Sequence, residues 1–192
     1  MATLLVNCYP PSWQDKLGAY FTLLERFDTV RVATVEELGG GPGDATAVVL
    51  TGSPVMLTKD EPPAGLAEFV LGLELPVFGI CFGHQLLGIA TGAMMGRREF
   101  YEAPGLIRVL RPEPLFVGME ETLVVGESHA EYLEPESVTA AGWEIHANSM
   151  LCAVEAMGHR ERPWYGVQFH PERSGQVGVD VLANFYRNVV RA

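Results

Sequence analysis

The chain has 192 residues, enough for one well-buried domain and too few for two sizeable ones. Apolar residues make up 48% and charged residues 19%, which excludes a disordered segment, and the net charge of −11 argues against a nucleic-acid coat built on clustered Lys and Arg. Cys8, Cys81 and Cys152 are scattered and form no CxxC pair, so the chain offers neither a metal knuckle nor a disulfide framework. The N-terminus lacks a basic, apolar leader and no run of about 18 apolar residues occurs, so the expected setting is cytoplasmic, without a membrane span.

Short apolar runs alternate with amphipathic stretches, the pattern of an α/β fold. Thr3–Asn7 reads as a strand, Asp15–Phe27 as a helix and Val30–Thr34 as a second strand. Gly39–Asp44 is a glycine-rich turn, without the Lys-Ser or Lys-Thr that ends a phosphate-binding loop. Thr46–Leu50 is a buried strand ending in Thr51-Gly52-Ser53-Pro54, Pro62–Leu71 a helix, and Pro76–Ile80 a strand running into Cys81. Gly83–Thr91 is helical. From Leu106 the pattern turns strand-rich: Leu106–Leu110, Glu121–Val125, Val138–Trp143, Met150–Ala156 and Trp164–Phe169, before a closing helix over Gln176–Val190. One domain over residues 1–192 is expected, an open, mainly parallel twisted sheet with helices on both faces and antiparallel additions.

Gly79-Ile80-Cys81-Phe82-Gly83 has the form Gly-x-nucleophile-x-Gly between a strand and a helix. Such a tight turn thrusts its central side chain out at the carboxyl edge of a sheet, where α/β proteins bind ligands. The helix that follows points the positive end of its dipole at the sulfur, which favours a thiolate nucleophile. Taken alone, the motif fits a buried apolar cysteine equally well. His170-Pro171-Glu172 supplies the missing partners. Residues two apart in an extended stretch project to one side, so Glu172 can hold one ring nitrogen of His170 and leave the other for Cys81. The remaining histidines lack a carboxylate so placed, and His84 is expected to be structural.

The stretches Gly79–Gln85 and Tyr165–Glu172 resemble the two signature motifs of class I glutamine amidotransferases. Val154–Met157 with Tyr165–Glu172 is most similar to the amidotransferase subunit or domain of GMP synthetase, and Glu127-Ser128-His129 resembles that family's glutamine-contacting loop. The resemblance runs from about Ala47 to the C-terminus. It implies a flavodoxin-like sheet and a glutaminase reaction on L-glutamine through a Cys81 thioester. It also implies an oxyanion hole from backbone N–H groups at Phe82 and near Gly52 and Ser53, with Gln85, Ser128 and His129 binding the glutamine. No cofactor or metal is implied, and with no ATP site the ammonia should pass to a separate synthase or synthetase subunit. Two departures stand out: Thr-Gly-Ser-Pro replaces the family's Gly-Gly-Pro, and Glu131 stands where an aspartate is usual. Thr-Gly-Ser-Pro with Gly-Ile-Cys-Phe-Gly-His-Gln also resembles stand-alone γ-glutamyl peptidases, which use the same triad on a peptide substrate. Both activities remain open on sequence.

Overall fold

The structure, a computed structural model, describes residues 1–192, apart from the side chains of Gln14 and Asp15. Its strands are β1 (Ala2–Asn7), β2 (Thr29–Thr34), β3 (Ala47–Leu50), β4 (Val77–Ile80), β5 (Met95–Val109), β6 (Thr122–Leu133), β7 (Trp143–Asn148), β8 (Ala156–His159) and β9 (Trp164–Val167). They form one sheet in the order β2-β1-β3-β4-β9-β8-β7-β5-β6. The first five are mutually parallel, and every pairing beyond β9 is antiparallel.

Alternation along the strands divides the core between two faces. Leu4, Val6, Val48, Leu50 and Val77 pack on one side with α2 (Leu66–Leu71), α3 (Phe82–Ala90) and α4 (Pro135–Ala140). Leu5, Val49, Phe78 and Ile80 pack on the other with α1 (Leu17–Leu24) and α5 (Gly175–Phe185). Parallel strands covered on both faces have no polar side, and so β3 and β4 read as unbroken apolar runs. Among the described residues no helix is long and apolar enough to cross a membrane.

The N-terminal strands and the strand–Cys81–helix junction lie where the sequence pattern puts them. Several other elements differ. The helix expected over Asp15–Phe27 is only α1, preceded by a 3-10 stretch over Pro11–Lys16. The helix over Pro62–Leu71 is likewise shorter, starting at Leu66 after a left-handed Gly65. Val138–Trp143 is not a strand: Pro135 occupies the first turn of α4, and β7 begins only at Trp143, after Gly142 at φ +92°. Of the strand expected over Met150–Ala156, residues 150–155 are a loop whose Met150 and Leu151 are exposed, and β8 begins only at Ala156. Leu106–Leu110 and Glu121–Val125 are parts of a long β5–β6 hairpin. The last helix continues past α5 as a π-turn over Tyr186–Val190.

Candidate active site

Three adjacent strands deliver their carboxyl ends to one place: β3 leads to Gly52-Ser53, β4 to Cys81, and β9 to His170. Cys81 is the only non-glycine residue with positive φ among the described residues, at φ +50° and ψ −102°. Such backbone costs about 1–3 kcal/mol and persists only where surroundings enforce it. They do so here. Cys81 N–H donates to Val167 O at 2.9 Å and Gly83 N–H to Thr51 O at 3.2 Å, tying the turn to the strands on both sides. The glycines let α3 approach: a Cβ on Gly79 would stand 2.5 Å from the Gly83 carbonyl carbon, and one on Gly83 2.6 Å from Leu50 O.

His170 is pinned from the other direction. Its N–H donates to Gly126 O at 2.8 Å, and its carbonyl accepts from Ser174 Oγ at 2.7 Å. Nδ1 lies 2.6 Å from Glu172 Oε1, with both side chains almost fully buried. Nε2 is buried with no hydrogen-bond partner among the described residues, and Cys81 is the nearest group acting on that side of the ring. Burial alone would lower the pKa of the imidazole. The charge and hydrogen bond of Cys81, then those of Glu172, outweigh it and hold His170 well above its usual range. A cysteine, an imidazole with one nitrogen free for it, and a carboxylate on the other nitrogen can carry out nucleophilic acyl transfer.

A cavity of about 650 Å³ opens over this group. Of the residues singled out from sequence, Cys81, His170, Glu172, Ser53, Gln85, Ser128 and His129 line it. Gly52 and Phe82 do not line it. Gly52 N–H is taken by the Tyr20 hydroxyl at 3.3 Å, whereas the N–H groups of Ser53 and Phe82 meet no acceptor among the described residues. Gln85 uses its amide nitrogen within the protein, donating to Glu131 O at 3.0 Å and Gln168 Oε1 at 3.1 Å. The His129 ring is buried, its Nδ1 2.9 Å from Glu131 O and its Nε2 3.3 Å from Glu127 Oε2, which leaves its main chain for the cavity. His84 is fully buried, and burial pushes its ring down to about 3, as suits a structural histidine.

The segment expected as a glutamine-contacting loop, Glu127–His129, lies inside β6, paired with Tyr101–Ala103 of β5. Alternation turns Glu127, His129 and Glu131 to the buried side. There the Glu131 carboxylate accepts from Leu57 N–H at 2.8 Å, Thr58 N–H at 2.9 Å and the Thr58 hydroxyl, fastening the loop after Ser53 to β6. An aspartate, one methylene shorter, would have less reach to that loop.

Sequence reasoning missed Tyr20. Its hydroxyl sits 3.4 Å from His170 Nδ1 and 3.2 Å from the Tyr9 hydroxyl, and burial foremost, then Glu172, raise its pKa well above 10, so it remains a neutral O–H. Gln168 falls within the second signature motif, where nothing in the sequence assigns it a role. Its Nε2 lies 3.6 Å from Cys81 Sγ.

With this geometry in place, comparisons identify the family. The family model described as glutamine amidotransferase class-I matches residues 21–189. Among curated relatives, the glutamine-hydrolyzing GMP synthase subunit of Methanococcus aeolicus is 38% identical over 141 residues, 72% of this chain and 71% of that protein. The corresponding subunit of Methanocaldococcus jannaschii is 36% identical over 146 residues, 74% of this chain and 73% of that one. A crystal structure of a putative GMP synthase subunit from Thermoplasma acidophilum superposes with TM-score 0.80 at 22% identity, covering 100% of this chain and 98% of that one, and shows the same fold. The arrangement of strand ends, elbow cysteine and His–Glu pair thus sits within a shared sequence as well as a shared fold, and this chain belongs to the class I glutamine amidotransferase family.

Proposed function

We propose that the chain, acting as one domain, hydrolyses L-glutamine to glutamate and ammonia and passes the ammonia to a separate synthase subunit. The observation that carries this reading is the Cys81–His170–Glu172 constellation beneath an open cavity, in a family whose relatives are named as glutamine-hydrolyzing subunits of GMP synthase. Cys81 gives its proton to His170 Nε2, and Sγ attacks the side-chain amide carbon. The oxyanion that forms is received by the free N–H groups of Ser53 and Phe82, and such donors contribute about 2.7–4 kcal/mol each. Gly52 serves by holding Tyr20, and through it the imidazole, in place. His170 then protonates the departing nitrogen, ammonia leaves, and Cys81 carries the γ-glutamyl group as a thioester. Water gives a proton to His170 and adds to the thioester, and collapse expels the Cys81 thiolate and glutamate. The Gln85 carbonyl oxygen and the main chain at Ser128 and His129 hold the α-amino acid end of the substrate. The names of the relatives favour this role over that of a stand-alone γ-glutamyl peptidase.

The test uses the isolated chain. An electrophilic glutamine analogue should label Cys81 and spare Cys8 and Cys152. Glutamine hydrolysis should be slow alone and rise when a ligand-loaded synthase partner is added. Cleavage of γ-glutamyl peptides about a hundredfold faster than glutamine, equivalent to about 2.7 kcal/mol in the transition state, would refute the proposed role.

A further inference from the structure

Gln168 is fully buried in the short segment between β9 and His170. Its backbone is fixed on both sides: its own N–H donates to Glu155 O at 2.8 Å, and the preceding carbonyl, that of Val167, accepts from Cys81 N–H. Its side chain joins a line of hydrogen bonds that starts at a main-chain carbonyl. Glu131 O accepts from Gln85 Nε2, Gln168 Oε1 accepts from the same nitrogen, and Gln168 Nε2 faces Cys81 Sγ.

The polarity of this line is forced. A carbonyl oxygen can only accept, so Gln85 must turn its NH₂ group toward Glu131. That nitrogen's second hydrogen then meets Gln168, which must answer with its oxygen. The Gln168 NH₂ group is left pointing at the sulfur. Turning Gln85 over would set acceptor against acceptor, and turning Gln168 over donor against donor, in a buried place where an unmet polar group is costly.

The neutral thiol and the thiolate therefore meet different partners. As a thiol, Cys81 donates weakly to Ser128 O at 3.8 Å. Once ionised, the sulfur only accepts, Ser128 offers it nothing, and the Gln168 N–H bond becomes charge-assisted. We propose that Gln168 is a further catalytic residue, donating an N–H to the Cys81 thiolate, and that Gln85 is a positioning residue which sets the orientation of that amide from the Glu131 carbonyl. This rests on the reading of Cys81 as the nucleophile.

The experiment is the rate of iodoacetamide alkylation of Cys81 in the full chain across pH 5–9, read by mass spectrometry. Cys8 is pushed up to about 12 by burial foremost, and Cys152 is raised further, so neither competes. Gln168→Met, close in volume but without a donor, should slow alkylation at neutral pH about tenfold and move the profile to higher pH, given the usual strength of a hydrogen bond to a charged group. Gln168→Glu keeps the shape and the bond from Gln85 but presents an acceptor to the sulfur, and should move the profile further than Met does. Gln85→Met should move it less, and adding it to Gln168→Met should move it no further. In glutamine hydrolysis, Gln168→Met should lower kcat with little change in KM. A purely steric role predicts the reverse order, with Glu milder than Met. That order, or a profile indifferent to Gln168 while wild-type Cys81 remains reactive, would overturn the proposal alone. An unreactive wild-type Cys81 would overturn it together with the nucleophile reading. Alkylation needs no glutamine, so a different γ-glutamyl substrate would leave the measurement standing.

Discussion

Replacing Gly79 by alanine tests whether the elbow is as tight as the structure makes it. The added Cβ would lie 2.5 Å from the Gly83 carbonyl carbon, 2.6 Å from Gly83 O and 2.7 Å from His84 N, all backbone atoms of α3. Ordinary contact begins near 3.4 Å, so α3 must retreat by roughly 0.7–0.9 Å, close to the 1 Å misplacement that costs about a hundredfold in rate. No small side chain can rotate away to absorb the shift. The retreat strains the Gly83 N–H bond to Thr51 O and carries Cys81 away from the Ser53 N–H, with His170 held by separate bonds to Gly126 and Ser174. Gly79→Ala should therefore lower kcat/KM for glutamine about a hundredfold. Overpacking of this kind costs about 1–3 kcal/mol, a fall in Tm of about 2–12 °C for a chain of this size. Steady-state ammonia release and a thermal melt measure the two effects. Gly88→Ala is the control: further along α3, its nearest contacts would be the Leu133 side chain rather than backbone, so any cost should appear in Tm and little in rate. A Gly79→Ala enzyme within about threefold of the parent in kcat/KM would refute the argument.

Two other outcomes follow from the same geometry. His170→Ala should cost about 10²–10⁴-fold in kcat, as loss of general acid–base help does, while Glu172→Gln keeps an acceptor near Nδ1 and should cost less; negligible effects from both would discard the triad. Glu155, buried beside Glu127 with Ser149 Oγ 2.7 Å from its Oε1, is raised to about 8, by burial first and Glu127 next. Because the folded pKa lies above the unfolded one, its contribution is fully present below about 4.5 and is lost as pH rises through about 8. Between pH 6 and 9 this removes about 2–3 kcal/mol, which Glu155→Gln should not lose in urea unfolding; parallel pH profiles would contradict it.

Those features that were legible in the sequence are local. A Gly-x-Cys-x-Gly turn declares itself within five residues because both glycines are demanded by contacts across that one turn. His170 and Glu172 meet because an extended pair two apart shares a side, and β3 and β4 announce burial on both faces by having no polar residue. Patterning failed where a partner distant in the chain overrides it. Glu127-Ser128-His129 reads by resemblance as a loop, yet Glu127, His129 and Glu131 form the buried side of β6, where Thr58, 73 residues away, donates to Glu131 and the His129 ring lies 3.3 Å from Glu127. Val138 and Trp143 read as one strand, but Val138 lies in a proline-started helix and a left-handed Gly142 separates that helix from Trp143. The hydrogen bonds that brace Cys81 and His170 were equally hidden. Tyr20 reaches His170 across 150 residues, and Gln85 reaches Gln168 across 83. The sequence alone determined the family, and it singled out Cys81, His170 and Glu172, which the fold brings together. Tertiary structure decided which N–H groups at the strand ends are left without an acceptor, which amide faces the sulfur and what holds the imidazole, because a hydrogen bond is set by where two groups meet and which of them can donate.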